Sequence, residues 1–351
     1  MTNPKILITG ASGYVGGTVL AQYLTSTVPE IKNASYSVLV RKQEQADQYA
    51  SQGITPYLLA GLEDQDAVQQ LASQFDIVVH AADSTNATAA EALIYGLRDG
   101  AQQKRAEATP PCLIHLSGVS SLGDRPVSQP STIISHEFSD KHDDIYSYMK
   151  WRESINTYAQ RKTDLAVIDA GEKAGVQTYV IKAPRIYGRG TGLFNKKSVH
   201  IPVLIGGAIA AGQPEYIAEG AGVWDDVHVL DLANFYELLL GKILKKEYIP
   251  TGIKPFFFVQ SIRHSWKELA VGMAKAGIQS GALKGEETRS IGLSEATRKY
   301  GSGDTGLTEV TFASSSVTKA DLATEMGWVS EKTEEDFQQS LLDDFEAAIS
   351  S

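Results

Sequence analysis

Tyr146 and Lys150 stand four residues apart in Asp143 to Gln160, a segment whose pattern predicts one helix capped by Asp143 or Asp144. That spacing sets the two side chains beside each other on one helical face. A phenol alone titrates near pH ~10, too high for proton exchange at neutrality. A neighbouring ammonium favours the phenolate, so the pair could give a proton to a developing alkoxide or take one from an alcohol. Tyr148 lies two residues from Lys150 and points elsewhere.

A second constellation opens the chain. Gly10-Ala11-Ser12-Gly13-Tyr14-Val15-Gly16 follows the apolar run Ile6-Leu7-Ile8 and precedes a segment with helical spacing. The first glycine permits a tight turn, the second lets a pyrophosphate approach the backbone, and the third lets helix and sheet pack closely. Ser12, Tyr14 and Val15 complete a turn whose free N–H groups would face the phosphates of a dinucleotide. Arg41 follows the second strand-like run, where the adenosine ribose would lie, with Lys42 as a second cation and no acidic residue before Glu44. An acidic side chain there suits a 2′-hydroxyl and an arginine suits a 2′-phosphate, so NADP(H) is expected over NAD(H).

The elements that must hold these groups alternate. Strand-like runs occur at Ser37-Val40, Thr55-Ala60, Asp76-Ala81, Cys112-Leu116 and Gln177-Lys182, with helical stretches such as Asp64 to Gln74 and Thr88 to Arg105 between them. The runs are continuously apolar, as strands are when helices cover both faces of a parallel sheet. An α/β, doubly wound parallel sheet of the Rossmann type is therefore expected over residues 1–189, with a smaller, mostly helical substrate region over 190–351. Segments near 224–262 are expected to return to the sheet.

Composition narrows the rest. In 351 residues, 42 acidic and 32 basic side chains leave a net charge of −10, with 42% hydrophobic and 21% charged residues. The balance argues against nucleic-acid partners, which require a basic face. No apolar run is long enough to span a bilayer, no signal-peptide pattern opens the chain, and a single cysteine fits a reducing compartment, so a cytoplasmic location is expected. The seven histidines lack HExxH-type spacing, so no metal is expected; GxxxxGK[ST] and GxSxG are also absent.

The chain resembles the extended short-chain dehydrogenase/reductase family, which contains NAD(P)-dependent epimerases, dehydratases and dihydroflavonol-reductase-like enzymes. The resemblance rests on Thr9 to Gly16, Val79-His80-Ala81-Ala82, Tyr146-Ser-Tyr-Met-Lys150, Ala183 to Gly188, Val227 to Ala233 and Met326-Gly327-Trp328. It implies Tyr146 as acid/base and Lys150 holding the nicotinamide ribose. A hydroxyl from the loop Leu116 to Ser121 would polarise the substrate; the usual position falls on Gly118, leaving Ser120 or Ser117 to supply it. Leu62 would flank the adenine, Ala81 and Ala82 would let the cofactor approach, and Pro184 and Ile186 would hold the nicotinamide. Thr191, Phe194, Tyr187 and Trp224 are expected in the substrate pocket, and 164–175 reads as a helical insertion. The resemblance also makes a homodimer plausible. The expected activity is NADPH-dependent reduction of a ketone or aldehyde on a small molecule. A sugar-type epimerase or dehydratase and a non-catalytic dinucleotide sensor are the alternatives.

Overall fold

The computed structural model describes residues 3–103, 110–133, 135–254, 256–301 and 303–350. Strands β1 (Lys5–Thr9), β2 (Ser35–Val40), β3 (Thr55–Leu58), β4 (Ile77–His80), β5 (Cys112–Gly118) and β6 (Gln177–Ala183) form a parallel sheet. Beyond it, β7 (Arg185–Tyr187) and β8 (Val223–His228) begin a second small sheet, which β10 (Ile262–Ser265) completes. Between these, β9 (Phe256–Phe258) pairs with β6 and gives the main sheet its seventh strand, in the order β9-β6-β5-β4-β1-β2-β3. This is the expected doubly wound architecture, with its reversal of strand order at β1. Ile6 to Ile8 and Ile77 to Val79 are fully buried, which explains their unbroken apolar character.

Helices α1 (Tyr14–Thr25), α2 (Ala87–Gln102), α3 (Ile145–Ile155) and α4 (Ala159–Ala174) come from the first half; α5 (His200–Ala211) and α6 (Val229–Leu244) come from the second. α1 packs with α6, and α2 packs with α4. The β5 residues Cys112 and Ser117 differ in parity, so they face opposite sides of the sheet. Cys112 lies by Tyr23 of α1, whereas Ser117 bonds Asp164 of α4.

The single helix expected over Asp143 to Gln160 is two helices. Asn156 is extended (φ −142°, ψ 115°), and a new helix begins after Tyr158. Arg161, nearly fully buried, clasps this break: its guanidinium donates to the Asn156 carbonyl (2.8 Å), to Glu153 (3.2 Å) and to the Ser121 carbonyl (2.6 Å). The Tyr158 N–H also donates to Glu153 (3.1 Å). Residues 164–175 are accordingly no insertion, because they complete α4 and its left-handed Gly175 C-cap leading into β6.

Beneath α4 runs a polar stripe with no exposure. Thr9 Oγ1 meets His80 Nδ1 at 2.7 Å, and the His80 ring stacks on His115 at 5.2 Å. Lys182 Nζ donates to Asp164 Oδ2 (2.5 Å) and to Ser121 Oγ (2.6 Å), and Ser117 Oγ donates to the same carboxylate (2.9 Å). In the tail, the Trp328 indole donates to the Asp231 carbonyl (2.9 Å), and the Asp231 carboxylate accepts from Ser330 and Lys332, tying the C-terminal segment to α6.

Candidate functional site

A crevice of about 510 Å³ opens at the carboxyl ends of β1, β2 and β4, where ligands bind in open α/β sheets. Gly10, Ser12, Gly13, Arg41, Lys42, Leu62, Ala81 and Ala82 all line it. Gly10 has φ +76°, and a Cβ there would stand 2.5 Å from the Ala81 carbonyl oxygen, so only glycine fits. Gly13 caps α1 with no side-chain acceptor, and no acidic residue occupies the first turn. The leading N–H groups of α1 are thus available to a phosphate. Tyr14 and Val15 do not line the crevice: both side chains are buried, and the Tyr14 hydroxyl donates to the carbonyls of Tyr187 (2.9 Å) and Gly188 (2.6 Å). Gly16, expected to let helix and sheet pack closely, lies against the turn: a Cβ there would stand 2.4 Å from the Gly10 carbonyl oxygen. Arg41 is exposed at the rim, and Lys42 stands 3.8 Å from Glu44. Asp83 and Glu63 also line this crevice.

A second cavity, about 280 Å³, is lined by Ser84, Ser117, Ser120, Tyr158, Gln160, Pro184, Ile186, His200, Trp224 and Thr311. The segment Ala81 to Ser84 borders both spaces. Here the Tyr158 hydroxyl donates to Ser120 Oγ at 3.1 Å, and Ser120 donates to Gln160 Oε1 at 2.6 Å. Burial pushes the Tyr158 phenol up, with Ser120 and Arg161 opposing, so the neutral, proton-donating form is favoured. Lys162 is exposed in the first turn of α4, four residues after Tyr158, which is the extended residue that precedes the helix. His200 is held neutral, its pKa brought down to about 4 by burial and then by Arg185, and it contacts the Thr311 carbonyl through Nε2 (2.9 Å).

Tyr146 and Lys150 require correction. They are neighbours as expected, with the Lys150 ammonium 5.1 Å from the centre of the Tyr146 ring, but they border neither cavity. The Tyr146 hydroxyl donates to Asp169 (2.5 Å), eleven residues or roughly 16 Å along α4 from Tyr158. The Asp169 hydrogen bond raises its phenol to about 12, the opposite of activation. The cause is the break after Asn156, which separates the face bearing Tyr146 from the start of α4. A second Tyr-x-x-x-Lys, Tyr158-Ala-Gln-Arg-Lys162, was legible in the sequence twelve residues on.

Of the two serines, Ser120 meets the phenol, whereas Ser117 borders the cavity but commits its hydroxyl to Asp164. Among the expected pocket residues, Trp224 lines the cavity. Tyr187, Phe194 and Thr191 instead brace other parts: Tyr187 is buried against Phe337, Phe194 packs edge-on to Tyr49, and the Thr191 N–H bonds Thr18. Among the described residues no cluster of three or more His, Cys, Asp or Glu could hold a metal, and no helix is long and apolar enough to cross a membrane.

A protein of an Acremonium species named oxidase ucsJ is 25% identical over 307 residues, covering 83% of this chain and 84% of that protein. An uncharacterised Schizosaccharomyces pombe protein is 26% identical over 251 residues, covering 68% and 71%. The UDP-glucose 4-epimerase of Thermotoga maritima, solved with UDP-glucose, superposes with a TM-score of 0.64 over 98% of this chain and 99% of that one, at 13% identity. The dTDP-glucose 4,6-dehydratase of Streptomyces venezuelae, solved with NAD and TYD bound, gives 0.64 over 96% and 95%, at 14% identity. These structures share the fold. The sequence pattern of the NAD dependent epimerase/dehydratase family matches residues 6–249, a stretch that carries the glycine loop, Ser120, Tyr158 and Lys162, and the chain belongs to that family.

Proposed function

We propose that the protein is an NADP(H)-dependent oxidoreductase that reduces a ketone or aldehyde on a small organic molecule. The observation that carries this reading is the 3.1 Å contact between the Tyr158 hydroxyl and Ser120 Oγ, in a cavity lined by Ser84, the residue that follows the Ala81 to Asp83 lining of the glycine-loop crevice. The bound nicotinamide would supply the hydride to the carbonyl carbon. Tyr158 would deliver its phenolic proton to the carbonyl oxygen, yielding the alcohol, and Ser120 would orient that oxygen. Lys162 would stabilise the resulting phenolate and hold the nicotinamide ribose. Gly10, Ser12, Gly13 and the first turn of α1 fit a pyrophosphate, Leu62 an adenine, and Pro184 and Ile186 the nicotinamide. Arg41, exposed at the end of β2 with no carboxylate beside it on that strand, favours the 2′-phosphate of NADP(H).

The same groups run in reverse would oxidise an alcohol, with Tyr158 as base; the relative named an oxidase favours keeping this direction in view. An epimerase or dehydratase would use both directions in one turnover and keep its dinucleotide through purification. The test is Tyr158→Phe. Turnover should fall by about 10²–10⁴-fold, the range for loss of a general acid, while NADPH binding stays intact. Turnover equal to the unmodified protein would overturn the reading, as would the absence of any dinucleotide binding.

A further inference from the structure

Gln160 sits between Tyr158 and Lys162, at the second position of α4, where a surface helix would leave a glutamine in solvent. It is instead half-buried in the substrate cavity and uses both ends of its amide. Its Oε1 accepts the Ser120 hydroxyl proton at 2.6 Å, and its Nε2 donates to Ser84 Oγ at 2.9 Å. With Tyr158 donating to Ser120, one chain of hydrogen bonds runs from Tyr158 through Ser120 and Gln160 to Ser84. It links the start of α4 to the loop after β5 and to the loop after β4. Ser120 lies in a short 3₁₀ turn, Val119–Leu122.

Gly118 completes the arrangement. A Cβ on Gly118 would lie 3.0 Å from Gln160 Oε1, 3.2 Å from Gln160 Nε2 and 3.3 Å from Ser120 Oγ. The Gln160 amide therefore fills the space above Gly118 that a side chain would otherwise claim. We infer that Gln160 is a positioning residue, fixing Ser120 so that its oxygen accepts from Tyr158 and holds the phenol beside the substrate oxygen, and that Gly118 is glycine to admit it.

A hydroxyl has one proton and two lone pairs. As Gln160 takes the Ser120 proton, a lone pair of Ser120 is left facing the phenol, and the Tyr158 proton is directed along that line. Without the glutamine oxygen, Ser120 is free to rotate, and the two hydroxyls no longer converge on one point. Misplacement by about 1 Å can cost about a hundredfold in rate.

The inference rests on the proposed Tyr158 chemistry, and the experiment separates the two. Gln160→Leu keeps the shape of the side chain and removes both hydrogen bonds. It should lower kcat about 10- to 100-fold, with the NADPH dissociation constant and thermal midpoint close to those of the unmodified protein. Gln160→Glu retains an acceptor for Ser120 and should recover much of kcat. It also places a carboxylate near the phenol, so the alkaline limb of the kcat profile should move to higher pH. Gly118→Ala should lose activity by pushing on Gln160, and the loss should shrink when Gly118→Ala is made in the Gln160→Ala background. Unchanged kcat in Gln160→Leu, alongside an inactive Tyr158→Phe, would overturn the positioning role and leave the tyrosine chemistry standing. Equal losses in Leu and Glu variants with no movement of the pH profile would also overturn it. An active Tyr158→Phe would instead remove the reading beneath it.

Discussion

The chain contains the same four-residue pattern twice, and the two copies meet different fates. In α3, Tyr146 and Lys150 lie on a solvent-facing surface, their hydroxyl partner being Asp169. At the start of α4, Tyr158 turns inward to Ser120 while Lys162 is exposed. Side-chain spacing is identical, so spacing did not decide. What differs is anchoring: α4 is tied through Asp164 to Ser117 of β5 and Lys182 of β6 and through Arg161 to the turn after β5, whereas the Tyr146 hydroxyl donates to an exposed carboxylate.

That contrast can be broken at its strongest point. Lys182→Met leaves Asp164 as an unpaired, fully buried charge beneath α4 and should destabilise the fold by about 3–5 kcal/mol, read from urea unfolding. The double replacement Asp164→Leu with Lys182→Met should recover most of that loss, because two apolar groups need no partner. Destabilisation of the double variant equal to the sum of the singles would show that the ion pair is not the anchor. An analogous replacement at Lys150 should leave the unfolding midpoint where it is.

Titration sharpens the same contrast. His80 and His115 lie in the buried stripe, with pKa values brought down to about 3, by burial first and then by His115 for His80 and by Lys182 for His115. In the unfolded chain each would protonate near pH ~6.5. Between those values the unfolded state binds more protons, so stability is fully present above pH ~6.5 and drains away as pH falls toward about 3. A urea midpoint that stays flat from pH 7 to pH 4 would contradict this. At the other crevice, Arg41→Asp should shift cofactor preference from NADPH toward NADH by about ten- to a hundredfold, the worth of one charge-assisted hydrogen bond (~1.5–3 kcal/mol). The smallest effect belongs to α3: Asp169→Asn should let the Tyr146 phenol fall from about 12, visible by ultraviolet titration, with turnover unchanged.

Much of the fold was legible in the residues. The apolar runs of β1, β4 and β5 can only be strands covered on both faces, and the glycine loop announces its crevice because Gly10 and Gly16 meet backbone where a side chain would collide. Residues near that loop's reading, including Arg41, Leu62, Ala81 and Ala82, line the crevice. The tyrosine was misread because its setting is tertiary. Nothing in the periodicity of Asp143 to Gln160 marks the break at Asn156, which is held by Arg161 reaching back to Glu153 and across to Ser121. Gln160, His200 and Thr311 were missed for a similar reason: three distant segments converge on one cavity, and none carries a local signature.

The most direct measurement is a crystal structure with NADP(H) and an unreactive analogue of the carbonyl substrate. The analogue oxygen should be held by the Tyr158 hydroxyl, next to Ser120, and should face the nicotinamide beside Pro184 and Ile186. An analogue oxygen seated away from Tyr158, or a nicotinamide turned out of that cavity, would contradict it.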